Sequence, residues 1–371
     1  MQKPSESLLF NAFLVMFIIH ATQFGLGAAG VQRVIYSEAK QDSWIAILLA
    51  GVVIHVIIWI MIKTLRKFEN LDLFQIHSQI YGTFIGKTVN LFYSLYLYST
   101  FVSIVLGYTE IVQGWVFTDL PAWVIGLFLV FITFQGVTGG IRMVAGVCFL
   151  SVMLTLWIFF FLIPTLRYAH WDYLFPILEV PPKNLIKGMI KTSYTMLGFE
   201  VLYCIYPYIK EKDKALRYAQ IGVLFTTLLV TVLMVLATIY FSPDQLLRTI
   251  WATLSMYKIV RLPNLERFEY VAVVLWMLIV TSNLVVYMWA TTRGIKAAIG
   301  ITQRKSLYFL CAITIGISFF INKRSVIDQY IDYVGKVGLW IVFIYPLLLF
   351  LLTLIKKRKK KNSNVKEISS S

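Results

Sequence analysis

Long uncharged apolar runs alternate with short clusters of charged residues along almost the whole chain. Most runs have the ~20 residues that an α-helix needs to cross a hydrocarbon core. The pattern predicts ten membrane-spanning helices, at about 8–36, 43–62, 84–109, 120–140, 143–166, 184–209, 217–241, 267–292, 306–322 and 336–355. Two of these spans carry internal breaks. The first reads Thr22-Gln23-Phe24-Gly25-Leu26-Gly27-Ala28-Ala29-Gly30, and glycine is a poor helix former. The sixth reads Leu197-Gly198-Phe199-Glu200. A helix that loosens at bilayer depth frees backbone N–H and C=O groups, which protein, water or a ligand must then satisfy.

The breaks open matching halves. Spans one to five occupy about 8–166 and spans six to ten about 184–355. An odd number of spans per half inverts the second half relative to the first. Paired broken spans in an inverted repeat are the best sequence pointer to a solute site. The expectation is an all-α integral membrane protein with a 5+5 inverted repeat. It forms one transmembrane domain over 1–355, with a basic tail at 356–371.

Composition agrees. The chain of 371 residues is 59% hydrophobic and 14% charged, with mean hydropathy +0.76. The net charge of +16 does not indicate a nucleic-acid partner, because the basic residues lie between spans and in the tail. No cleavable signal peptide is expected, since the first apolar run is too long for one. Cys148, Cys204 and Cys311 fall inside apolar runs and read as packing residues. Orientation follows from Lys and Arg. With both termini in the cytoplasm, that side receives 21 of the 34 basic residues, including Lys356-Lys357-Arg358-Lys359-Lys360-Lys361. The tail reads as a cytoplasmic anchor facing anionic membrane lipid.

Freed N–H groups suit a carboxylate, and freed C=O groups or a carboxylate side chain suit an ammonium. An α-amino acid supplies both. Gly25 and Gly27 are therefore candidate ligand contacts, with close helix packing as the competing reading. Glu200 is the one acid deep inside a predicted span, where charge usually marks function. It is the candidate for coupling or proton relay, or a neutral carboxyl bonded to freed backbone. His20, His55, Ser282, Asn283 and Tyr287 read first as polar packing residues, and Tyr93, Tyr96 and Tyr98 as an aromatic stretch on span three. Residues 245–261 are expected to form a short amphipathic helix, as a lid or an interfacial cap. There is no GxxxxGK[ST], HExxH or GxSxG motif, so an enzyme is not expected, and no cofactor or metal is implied.

Several stretches carry a family resemblance: Gln23-Phe24-Gly25-Leu26-Gly27, Gly139-Gly140-Ile141-Arg142, His170 to Ile177, Leu197 to Leu202 running into Tyr206-Pro207, and Leu262-Pro263-Asn264-Leu265-Glu266-Arg267. The chain resembles the B subunit of bacterial spore germinant receptors, in the spore-germination permease branch of the amino acid–polyamine–organocation superfamily. The resemblance implies a LeuT-like fold with spans one and six unwound, a small nutrient ligand such as an amino acid, and the spore inner membrane. It also implies an A subunit and a lipoprotein C subunit as partners. It places ligand contacts at Gly25, Gly27, Ala28, Phe101, Val102, Leu197, Gly198, Phe199, and Ser282 or Tyr287. A wall of Phe101, Val102, Leu197 and Phe199 would favour a small or branched apolar amino acid. From the residues alone, a coupled transporter is the leading reading; the resemblance favours a sensor.

Overall fold

The computed structural model describes residues 4–263, 266–321 and 323–355. The basic tail, Lys3, and Asn264 and Leu265 of the last family-like stretch lie outside the described residues. The helices are α1 (Leu14–Gln23), α2 (Val31–Ala39), α3 (Ser43–Phe68), α4 (Leu73–Tyr81), α5 (Thr83–Trp115), α6 (Ala122–Thr138), α7 (Gly140–Thr155), α8 (Pro182–Thr195), α9 (Leu202–Ile205), α10 (Lys212–Tyr240), α11 (Pro243–Arg248), α12 (Ala252–Met256), α13 (Phe268–Ile299), α14 (Gln303–Phe320) and α15 (Arg324–Leu339). Among the described residues, six segments are long and apolar enough to cross a membrane by length and composition. The expected span one is α1 and α2 around a break, and span six is α8 and α9 around another. Spans two to five are α3, α5, α6 and α7, and spans seven to ten are α10, α13, α14 and α15.

The packing shows the inverted repeat directly. Span two packs on span seven, span three on span eight, and span four on span nine. Span one packs on seven as six packs on two; five packs on eight as ten packs on three. Exchanging each span for its counterpart in the other half maps this set of contacts onto itself. The repeat is therefore visible in the contacts, although residue identity between the halves is not.

Buried Ser and Thr are tolerated because their hydroxyls return to carbonyls of their own helices. Thr22 donates to the Ile18 carbonyl at 2.8 Å, Thr100 to Tyr96 at 3.1 Å and Thr133 to Leu129 at 2.8 Å. Two spans depart from regular α geometry. Span five tightens into 3-10 turns over Leu156–Tyr168, where Pro164 supplies no N–H. Span ten passes through a π turn at Trp340–Ile344, which seats Phe343 against Phe199 at 5.5 Å between ring centroids.

Three elements differ from the hydropathy reading. Span ten begins at Arg324 rather than near 336, because Ile327, Val334 and Gly338 are buried while Asp328, Asp332 and Lys336 are exposed. That amphipathic first half is too polar to register as an apolar run. α4 was not expected; Asp72 starts it with a capping box, taking the Gln75 N–H at 3.0 Å. Residues 245–261 form no single surface helix. They fold as α11, α12 and a 3-10 turn at Tyr257–Ile259, with Leu246, Ala252, Leu254, Met256 and Tyr257 fully buried. This wedge packs on span one: Thr253 donates to the Ala28 carbonyl at 2.9 Å and accepts from Gln32 Nε2 at 2.7 Å.

Candidate functional site

At the first break α1 ends at Gln23, and a 3-10 turn runs from Leu26 to Ala29 before α2 begins. The N–H groups of Gly25, Leu26 and Gly27 stand ahead of the first 3-10 bond and have no helical acceptor. At the second break, α8 stops at Thr195 and Gly198 takes φ +117°, a left-handed conformation that disfavours any side chain. A Cβ there would lie 2.4 Å from the Thr22 carbonyl oxygen. The two breaks thus cross in contact, and Gln23 Nε2 ties them by donating to the Met196 carbonyl at 3.1 Å.

Beside this crossing lies a cavity of about 300 Å³. Its inner part is walled by Thr22, Gln23, Gly25, Leu26 and Gly27 of span one, Thr195 and Leu197 of span six, Thr100, Ser103 and Ile104 of span three, and Asn283 and Tyr287 of span eight. It reaches the side of the protein opposite the N-terminus between α8 and α15, past Lys191, Tyr194, Asp328 and Asp332. The mouth charges are not bridged across it. Asp328 and Asp332 pair along their own helix with Arg324 at 3.8 Å and Lys336 at 2.6 Å. The N-terminal side is closed. Phe10 and Ile209 form a parallel bridge, Glu211 takes the Ala12 N–H at 2.8 Å, and Arg293 Nε meets Asp72 Oδ2 at 2.8 Å.

Of the residues expected at the site, Gly25, Gly27, Leu197 and Tyr287 line the cavity. Ala28 lies behind the first break, with its carbonyl held by Thr253. Phe101 and Val102 are buried off the cavity; Phe101 stacks on Tyr98, and Thr100, Ser103 and Ile104 take the wall positions. Gly198 packs on the Thr22 backbone, and Phe199 packs on Phe343. Ser282 donates to the Ile279 carbonyl at 2.6 Å and lines a separate small hollow with His20. The apolar wall expected from Phe101, Val102, Leu197 and Phe199 is thus represented at the cavity by Leu197 alone.

Glu200 is 1% exposed and does not line the cavity. Its Oε1 accepts from Tyr287 at 3.0 Å and from Tyr96 at 3.2 Å, and its Oε2 accepts the Gly198 N–H at 2.7 Å. The carboxyl therefore joins spans three, six and eight and fixes the second break, with Tyr287 standing between it and the cavity. His20 bonds Thr226 at 2.9 Å and His55 pairs with Gln220. Among the described residues, no three His, Cys, Asp or Glu side chains group as metal ligands.

Gln23 and Asn283 were legible as polar residues in apolar runs, but their place at the cavity was not. Lys191, Asp328 and Asp332 sit on amphipathic half-spans, and no motif marked them.

Ten packed helical segments, two crossing breaks and a cavity between them define a LeuT-like membrane fold. Mhp1, a nucleobase-cation-symport-1 family transporter solved in a closed conformation with bromovinylhydantoin bound, superposes with a TM-score of 0.63 over 91% of this chain and 77% of its own. At 11% identity that likeness concerns the fold alone. A family model described as spore germination protein matches residues 10–327. Spore germination protein GerQB of Bacillus cereus is 34% identical over 352 residues, 95% of this chain and 97% of that protein. Spore germination protein B2 of Bacillus subtilis (strain 168) is 24% identical over 371 residues, 96% of this chain and 98% of that protein. The chain belongs to the spore germination protein family, as a germination-related integral membrane protein of permease type.

Proposed function

We propose that this chain is the ligand-sensing subunit of a germinant receptor in the spore inner membrane. A small nutrient, an amino acid in the leading reading, enters the cavity and settles against the crossing breaks. The carrying observation is that the inner cavity wall contains unsatisfied backbone donors at Gly25 to Gly27 beside free side-chain acceptors on Gln23 and Asn283. Such a wall matches a carboxylate and an ammonium together. Both termini face the cytoplasm in this reading, so the open mouth faces outward and the bridged N-terminal side faces in. The unit is one transmembrane domain over 1–355, and an A subunit and a lipoprotein C subunit read its state. A ligand shifts that state only through different affinity for its two forms, and closure of the half-spans around solute would supply the difference. Glu200 acts through Tyr287 as a positioning residue.

The second reading is an H⁺- or Na⁺-coupled amino acid transporter, favoured by the transporter fold and by an acid beside the site. The test is uptake and binding of a labelled amino-acid panel by the chain in proteoliposomes, with and without a proton gradient. Saturable binding without flux, lost in Gly25→Val, is the expected result. Gradient-driven accumulation would replace the sensor with a transporter.

A further inference from the structure

Two buried carboxamides at the cavity carry chemistry that the breaks alone do not. Gln23 is 1% exposed; its Nε2 is spent on the Met196 carbonyl, and its Oε1 is buried with no donor. Asn283 is 2% exposed. Its Nδ2 gives one bond to Ala21 at 2.7 Å and one to Ile279 at 3.1 Å, which uses both protons and fixes the amide orientation. Asn283 Oδ1 is left without a donor among the described residues, and it lies 2.9 Å from where a Cβ on Gly25 would sit. Both residues line the same cavity wall. A buried acceptor left unpaired costs on the order of 1–3 kcal/mol, which applies to Gln23 Oε1; Asn283 Oδ1 is not sealed in the same way, and the two oxygens stand as acceptors on one cavity wall.

The rest of the inner wall sharpens the choice of donor. The hydroxyl protons of Thr22, Thr100, Ser103 and Tyr287 are all committed, to Ile18, Tyr96, Thr100 and Glu200. Those four side chains offer lone pairs to the cavity and no O–H, while the Thr195 hydroxyl, without a hydrogen-bond partner among the described residues, can turn either way. Glu200 is sealed off, and the acids that line the cavity, Asp328 and Asp332, stand exposed at its mouth. The inner wall thus presents side-chain acceptors that are neutral.

We infer that Gln23 and Asn283 are the specificity-determining pair of this site, their carbonyl oxygens taking N–H donors of the ligand. The inference rests on the solute-binding reading above and narrows it. The ligand is a compound with a primary amine or comparable N–H group, and an analogue lacking those hydrogens is rejected. A site built to bond an N–H discriminates strongly against its absence, because its own buried acceptors are then left unpaired.

The test is binding to the full-length chain in detergent, read as ligand-induced thermal shift and by calorimetry. The probes are the twenty amino acids, then for the tightest binder its N,N,N-trimethyl derivative and its 2-hydroxy acid counterpart. The expected result is that both analogues bind at least about tenfold more weakly, the loss of one charge-assisted hydrogen bond. Gln23→Leu and Asn283→Leu should each lose about tenfold for the amine and leave the weak binding of the hydroxy acid unchanged. Gln23→Glu keeps the shape, serves if the leucine variants do not accumulate, and should retain amine binding. Equal binding of amine and hydroxy acid to the unaltered chain would overturn this inference while leaving a solute site in place. Absence of any amino-acid binding would overturn both.

Discussion

The two helix breaks meet one problem with different side chains. Each frees backbone groups in the middle of a membrane span, where hydrocarbon offers them no partner. At the second break side chains claim part of them: Glu200 reaches back two residues to the Gly198 N–H and is braced by Tyr96 and Tyr287, and Gln23 takes the Met196 carbonyl, while the N–H groups of Leu197 and Phe199 have no backbone acceptor. At the first break the N–H groups of Gly25 to Gly27 are left open beside a cavity. One break is braced by a carboxyl of its own span, and the other opens on the cavity. Glu200 therefore belongs to the architecture of the second break, and it meets the cavity wall through Tyr287.

Substitutions should separate the two breaks, and the largest effect is expected at Gly198. Gly198→Val combines φ +117° with a Cβ only 2.4 Å from the backbone oxygen of Thr22, which cannot swing away. The strain alone is ~1–3 kcal/mol before the clash is added, and the variant should fail to accumulate in membranes. Glu200→Leu strips the acceptor from two buried hydroxyls and one N–H. At ~1–3 kcal/mol for each orphaned donor, it should lower the stability of the detergent-solubilised chain by about 3 kcal/mol or more. Glu200→Gln keeps an acceptor for most of those donors and should cost ~1 kcal/mol. A thermal melt that ranks Glu200→Gln with Glu200→Leu would mean that the carboxylate charge, rather than the hydrogen-bond geometry, holds the second break.

A pH series sharpens the comparison once a separate contribution is removed. His77 in α4 lies outside the spans. Burial pulls its pKa down to about 4, against a smaller opposing effect of its bond to Asn90 at 2.6 Å. Its Nε2 lies 2.7 Å from the Tyr345 hydroxyl. The folded state holds this imidazole neutral while the unfolded chain protonates near 6.5. Stability is thus full above that value and falls as pH drops from about 6.5 towards about 4, by ~1.4 kcal/mol at pH 5.5. His77→Gln should flatten that slope. An unchanged slope would place the acid sensitivity elsewhere, with Glu200 the first group to examine.

The smallest stability effect is expected at the first break. Gly25→Ala and Gly27→Ala would press on the side chains of Asn283 and Thr195, at 2.9 and 2.6 Å, and side chains can yield where backbone cannot. A cost under ~1 kcal/mol is expected, while ligand response falls at least about tenfold. Gly25→Ala with unchanged response would remove the first break from the ligand site.

The fold was largely legible from sequence because hydrocarbon imposes a simple rule on it. Runs of apolar residues must be helices that span, and glycines inside them must be breaks. What escaped was whatever did not need to be apolar. The first half of span ten carries Asp328 and Asp332, which line the mouth of an open cavity, so its hydropathy does not announce it. The wedge of α11 and α12 looked like a surface helix because its apolar residues sit at helical spacing, yet they are buried on span one.

Register within a helix was the other loss. Thr100, Phe101, Val102 and Ser103 are consecutive on α5, and a turn of 100° per residue decides which of them meet the cavity. Only the packing of spans three and eight settles that Thr100 and Ser103 do and that Phe101 and Val102 do not. By itself the sequence determined the membrane class, the two breaks, the family and the unusual Glu200, since each is written in local composition or in a contiguous motif. The tertiary structure alone decided that Glu200 braces one break while the carbonyl oxygens of Gln23 and Asn283 stand without donors at the other. Hydrogen-bond partners come from helices far apart in the chain, and no local pattern records which acceptors remain unclaimed.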